Sequence, residues 1–224
     1  SLQPHLAQPL GGEAYPNLPG DTGEGDGTSW SRRQPNHAPP ARQWHAMSWD
    51  SQRQRVVLFG GANATYPYTA FNDLWEWDGT DWTVHDLAEP GAAIWTSGQG
   101  AVFVLSGSGV RTWDGSWWSY TELDPEFYGT ALAGVPASGV GYAAGYFGDI
   151  FRFDGGWAPM AGPPGSAVTD IVTDQDGAPI ASTLYGGIFR WDGDAWVDLE
   201  LPVLPEDAIL RIDDEGELFA LAQW

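Results

Sequence analysis

The residues of this chain that could do chemistry are acids and aromatic rings. Its 224 residues include 30 Asp and Glu, four His and nine cationic side chains, all arginine, for a formal net charge of −21. Lysine and cysteine are absent. Without thiols there is no thiolate nucleophile, Cys-ligated zinc, iron–sulfur cluster or disulfide framework. Without lysine there is no Schiff base and no P-loop. Three of the four histidines precede residue 46, none with metal-ligand spacing, and His45 inside a strand reads as a buried structural histidine. Ser106-Gly107-Ser108-Gly109 lacks the G-x-S-x-G elbow that a serine nucleophile needs. A calcium loop would place oxygen ligands at every second position and end on a bidentate Glu; no stretch does so, and no metal or cofactor is expected. Carboxylate pairs of the glycosidase kind stay open, because abundance says nothing about pairing in space.

The second chemical resource is 14 Trp, 8 Tyr and 9 Phe. The binding candidates among loop residues are His37, Arg42, Tyr66, Tyr68, Trp95, Tyr128, Tyr146 and Tyr185, with Phe71, Phe127 and Phe147 nearby. Aromatic rings beside loop glycines can stack on a sugar or accept a peptide. Packing between sheets is the competing role for the same rings. A charge of −21 repels nucleic acid and anionic lipid, since affinity for phosphate depends on Lys and Arg. No apolar run approaches the roughly 18 residues of a membrane span.

The scaffold that must position these residues is written in glycine and tryptophan. Glycine, 30 of 224 residues, is about twice its usual share of roughly 7%. No stretch of helical periodicity survives the Pro and Gly interruptions, so the expected class is all-β. One hairpin pattern recurs: GDGTSW (Gly25–Trp30), WDGTDW (Trp77–Trp82), WDGSWW (Trp113–Trp118), FDGGW (Phe153–Trp157) and WDGDAW (Trp191–Trp196). The closing residues Trp30, Trp82, Trp118, Trp157 and Trp196 are separated by 52, 36, 39 and 39 residues. Asp-Gly between aromatic runs is a hairpin signal. A second hairpin precedes each, as in Ser48–Gly61, Thr173–Thr183 and Arg211–Leu221, so the unit is four short strands, a to d. Such a unit cannot bury both faces by itself, whereas several arranged radially can, which is a β-propeller. The strand inventory predicts five four-stranded antiparallel blades, the closing blade shared by N- and C-terminal strands. Residues 1–24, rich in Pro and Gly, read as an extended arm, and 25–224 as one domain. A cut from a longer propeller is the competing reading.

Strand order assigns the loops. The d-to-a and b-to-c connections share one rim, where the candidate aromatics fall; the a-to-b and c-to-d turns share the other. Asp78, Asp114, Asp154 and Asp192 on that second rim read as turn formers. The sialidase Asp-box differs in having a residue between Asp and Gly.

Residues 40–82 also carry Pro40, Arg42, His45-Ala46-Met47, Asp50, Val57-Leu58-Phe59, Gly60-Gly61, Asn72-Asp73-Leu74-Trp75 and Trp82. This unit resembles the bacterial kelch repeat; later units keep only the Asp-Gly hairpin and glycine pairs. The resemblance implies a propeller in which Gly60-Gly61 ends strand b and Trp82 fills the space between blades. The expected function is a non-catalytic binding or assembly module with a protein partner, outside the cytoplasm or in the cell envelope. A lectin-like glycan binder is the alternative, and a carbohydrate-active enzyme the third reading.

Overall fold

The computed structural model of the chain describes residues 21–25, 28–63, 66–86, 91, 93–135, 137–165, 167–201, 209–213 and 216–221. The chain forms two compact units, Ser1–Gly91 and Ala92–Trp224. In the first, β1 (Thr22–Gly25) and β2 (Trp30–Arg33) make a hairpin, and β3 (Ala46–Asp50), β4 (Arg55–Phe59), β5 (Asp73–Trp77) and β6 (Trp82–Asp86) make a four-stranded meander. In the second, three meanders follow. They are β7 (Ala93–Thr96), β8 (Val102–Ser106), β9 (Gly109–Trp113) and β10 (Trp118–Glu122); β11 (Gly129–Val135), β12 (Val140–Gly145), β13 (Ile150–Phe153) and β14 (Trp157–Met160); and β15 (Val168–Thr173), β16 (Pro179–Thr183), β17 (Ile188–Trp191) and β18 (Trp196–Asp198). The hairpin β19 (Ile209–Ile212) and β20 (Leu218–Leu221) ends it.

Every pairing is antiparallel between strands consecutive in sequence, and no helix occurs among the described residues. The expected all-β class and four-stranded blades are present. Four blades are complete, and the two terminal hairpins contribute two strands each, by number the complement of a fifth. The N-terminal share is a c and a d strand, where the sequence suggested d alone. Strand β1 starts inside the segment expected as an arm, with Glu24 bonded to Arg33 across the hairpin; residues 1–20 lie outside the described residues.

The repeated hairpin has one physical design. Asp78 Oδ1 accepts the N–H groups of Thr80 and Asp81 at 2.8 and 2.9 Å, Asp114 Oδ1 those of Ser116 and Trp117 at 2.8 Å, and Asp192 Oδ1 those of Asp194 and Ala195 at 2.9 and 2.8 Å. These are Asx turns, and the carboxylate supplies the acceptor that the reversing backbone lacks. The turn sets an aromatic pair opposite each other across the strands: Trp77 with Trp82, Trp113 with Trp118, Phe153 with Trp157 and Trp191 with Trp196, tilted by 42–66° at 5.2–5.7 Å between centroids. Such pairs contribute about 0.5–1.5 kcal/mol beyond their burial. Trp30 departs from the sealing role expected of it. Its cross-strand partner is Gly25, which offers no ring, and the indole is 56% exposed. Asp154, in the one-residue-shorter FDGGW turn, pairs with Arg152 instead.

In the four complete blades the b strands are buried on both faces, as β8 and β16 are from end to end, whereas Phe219 and Ala220 of β20 are exposed. In the second unit, successive a strands are tied by polar bonds. Thr130 Oγ1 donates to Val168 O at 2.8 Å, and Leu210 N–H donates to Asp170 Oδ2 at 2.7 Å. Trp95, expected at a binding rim, is core instead. It stacks on Phe103 at 4.8 Å and lies across the facing pair Gly134 and Gly141 of the next sheet, where an added Cβ would approach the indole to 2.3 and 2.5 Å. Two opposed glycines leave a flat trough, and the ring fills it.

Trp82, buried and bonded through Nε1–H to Thr22 Oγ1, should lower unfolding stability by about 3–5 kcal/mol when changed to Ala. Trp30→Ala should cost less than about 1 kcal/mol, because the ring is already in water. Urea denaturation of both variants checks the contrast.

Candidate functional site

Exposed aromatic rings form two contacting clusters, one in each unit, and both lie on d-to-a and b-to-c connections; Trp30, Trp117, Tyr120 and Phe219 are exposed elsewhere, on strands or on a c-to-d turn. In the first unit, residues 34–45 join β2 to β3 and residues 60–72 join β4 to β5. The two connections are zipped together by mutual bonds of Gln43 and Ala62, each N–H donating to the other's carbonyl at 2.9 Å. Gly61 makes this approach possible: φ is +86° and an added Cβ would stand 2.5 Å from Gln43 O. Beside the bridge, Trp44 packs edge-on to Tyr68 at 5.3 Å, and Tyr68 to Tyr66 at 5.9 Å. Trp44 is 68% exposed and holds φ +60°, a left-handed conformation costly for a bulky side chain. The fold thus spends strain to turn a large apolar ring outward.

Arg42 explains how that strain is held. Its guanidinium is buried, forks onto both oxygens of Asp73 at 2.5 and 2.8 Å, donates to Gly60 O at 2.8 Å and lies 4.2 Å above the Phe71 ring. Burial pushes the Asp73 carboxyl upward, but the Arg42 fork and the Trp75 indole N–H at 2.7 Å outweigh it, and the group lies below its ordinary value. Arg42, expected to face a ligand, is therefore the internal strut of both connections. His37 is also placed elsewhere than expected: its N–H donates to Asp81 Oδ1 and its Nδ1 lies against Asp81 Oδ2, each at 2.8 Å, beside the c-to-d turn. The same blade buries Asp50 and Glu76, bridged by Arg53 at 2.6 Å to each, with His85 Nε2 3.2 Å from Glu76. Burial raises the Glu76 carboxyl, yet His85 and Arg53 carry it below the ordinary range, the opposite of what a general acid needs.

In the second unit, Phe127 and Tyr128 end the β10–β11 connection and part company. Phe127 points in, edge-on to Phe151 at 5.3 Å, correcting its placement at the rim; Tyr128 points out. The β12–β13 turn is closed by Gly145 N–H to Asp149 O at 2.9 Å and Gly148 N–H to Gly145 O at 3.0 Å, and Tyr146 N–H donates to Tyr128 O at 2.8 Å. These bonds place Tyr146 edge-on to both Tyr128, at 6.3 Å, and Phe147, at 5.6 Å. The β16–β17 turn repeats the plan: Thr183 N–H bonds Gly187 O, Gly186 N–H bonds Thr183 O, and Leu184 N–H bonds Ala167 O. Tyr185 then stands where Phe147 stands one blade earlier; they are 76% and 69% exposed.

Of the eight candidate residues, the structure brings Tyr66 to Tyr68 and Tyr128 to Tyr146, and repeats the second turn at Tyr185. Trp44 and the tip position of Phe147 complete the clusters. Aligning GYFGD (Gly145–Asp149) with TLYGG (Thr183–Gly187) is the signal that finds the tip; nothing local in the sequence marks Trp44. Among the described residues no group of three or more His, Asp or Glu side chains is placed to hold a metal ion. No helix among them is long and apolar enough to cross a membrane.

No protein-family model matches the chain, and no curated protein matches it in sequence. Solved structures do. YCF48 bound to D1 peptide aligns with a TM-score of 0.56 at 17% identity, over 86% of this chain and 64% of that one. YjhT aligns with a TM-score of 0.62 at 12% identity, over 90% and 84%, and YCF48 from Cyanidioschyzon merolae with 0.60 at 13%, over 90% and 74%. The chain thus spans slightly less than two thirds of the first of these. At such identities the likeness establishes the fold alone, and that fold is the β-propeller.

Removing the strut tests the architecture of the first cluster. Arg42→Ala leaves Asp73 charged and half-buried and should cost about 3–5 kcal/mol, with Arg42→Lys only a partial rescue because an ammonium cannot fork. An acid whose folded pKa is depressed stabilises above its unfolded pKa and loses that contribution as pH falls through the folded value. Asp73→Asn should therefore flatten the decline in stability below about pH 4. Denaturant titrations across pH 2.5–7, a range of about 4.5 units chosen to bracket ordinary carboxylates, measure it.

Proposed function

We propose that this chain is a non-catalytic binding module, a propeller with a kelch-type first complete blade, that holds a protein partner on its outward aromatic turns. One observation carries the reading: large rings are turned into water on the d-to-a and b-to-c connections by buried struts, glycine contacts and paired backbone bonds. Exposed apolar clusters of this kind mark interaction surfaces, and Trp and Tyr are the residues that dominate binding energy at interfaces. A fold neighbour, YCF48, carries a bound D1 peptide. The buried carboxylates of the first blade are engaged by arginine, in keeping with a structural use. The acid excess and lack of thiols and lysine fit a place at the cell surface or in a secreted assembly.

An array of immobilised linear peptides, run beside a glycan array, tests the reading. Peptides should be retained, and Tyr146→Ala with Phe147→Ala should weaken retention by about tenfold or more. Trp117→Ala, an exposed ring on a c-to-d turn, should leave it unchanged. Retention of glycans alone, lost with the same rings, would replace the protein partner by a sugar.

A further inference from the structure

Resting on that reading, we propose the chemistry of the partner: an extended segment bearing arginine or lysine, whose cations dock on the Tyr128–Tyr146–Phe147 cluster of the second unit. Charge is the first argument. Eight arginines sit in ion pairs with this chain's own acids, and Arg111 lies 5.1 Å over the Tyr120 ring. The cations are committed, and the chain carries a formal excess of 21 negative charges. The second argument is local. The cluster is bracketed by acids, Asp124 and Glu126 just before Tyr128 and Asp149 just after Phe147, all exposed. Asp124 Oδ1 accepts the Glu126 N–H at 2.8 Å, while Glu126 and Asp149 extend their carboxylates without an arginine. By contrast, the connection carrying Tyr66 and Tyr68 has no acid between Gly60 and Asn72.

The rings suit a cation in another way. Tyr146 meets both neighbours at steep interplanar angles of 82° and 84°, and Tyr128, Tyr146 and Phe147 remain 66%, 44% and 69% exposed, so ring surface is open to a ligand. A guanidinium or ammonium over a ring face is attracted to the π quadrupole, more so beside carboxylates. The chain already uses this contact internally at Arg42 over Phe71. The rings are too exposed to enclose a small free cation, so affinity must come from contacts along a chain. The adjoining blade presents Tyr185 in the equivalent turn position, and β11 packs beside β15, giving an extended segment a second ring to cross.

The test uses the whole chain and three synthetic peptides of one sequence pattern, carrying Arg, Gln or Glu at alternate positions, titrated by fluorescence anisotropy. The Arg peptide should bind, and should weaken severalfold when salt rises from about 0.05 to 0.5 M. Tyr146→Ala should weaken it by about three- to thirtyfold, and Glu126→Gln and Asp149→Asn, made singly, should each weaken it. Asp194→Asn, the same loss of charge on an exposed c-to-d turn, should have little effect. Equal binding of Arg and Gln peptides, with the same dependence on Tyr146, overturns the cationic partner while keeping a peptide-binding module. Arg-peptide binding indifferent to Tyr146 but weakened equally by Asp194→Asn reduces it to diffuse charge attraction and overturns the site. No binding of any peptide overturns both this inference and the reading it rests on.

Discussion

Each Asp-Gly turn of a complete blade is closed by two aromatic rings opposite each other across the last pair of its hairpin. That contact, joined in three of the four blades by the capping turn carboxylate, sets where c ends and d begins. With the c-to-d hairpin pinned, the b strand between a and c is left apolar on both faces and must be covered by neighbouring sheets. The rest of the second unit follows: β8 and β16 buried throughout, Trp95 laid in the glycine trough of the next sheet, and a strands tied by Thr130 and Asp170. Where the pair is missing, as at Gly25 and Trp30, the indole is left in water.

The repeated hairpin was legible in the sequence because both of its causes, the Asx turn and the ring pair, lie within six residues. The blade count was legible for the same reason. Side-chain direction on the connections was not. Phe127 and Tyr128 are adjacent and chemically similar, yet one packs against Phe151 and the other faces water, a distinction no local sequence feature carries. Trp95 reads as a rim residue until the opposed Gly134 and Gly141, some 40 residues on, are known to face it. Arg42 was picked out by type, but its use depends on Asp73, 31 residues away.

The same side-chain chemistry recurs buried in the first unit and exposed in the second. Inside, arginine is forked onto carboxylate and laid over a ring, as at Arg42, Asp73 and Phe71. Outside, around Tyr146, rings and carboxylates recur without the arginine. A partner that brings the cation would complete outside the arrangement that the fold completes within. Asp124 caps its own turn, but Glu126 and Asp149 pair with no arginine, so charge can be varied at those two positions at little cost to the scaffold.

The most direct measurement is amide chemical-shift mapping of the intact chain during titration with the Arg-bearing peptide. The account predicts shifts concentrated at residues 124–129 and 145–149, extending to 183–187. Shifts concentrated at the Asp-Gly turns 78–81, 114–117 and 192–195, or spread evenly over the acidic surface, would contradict it.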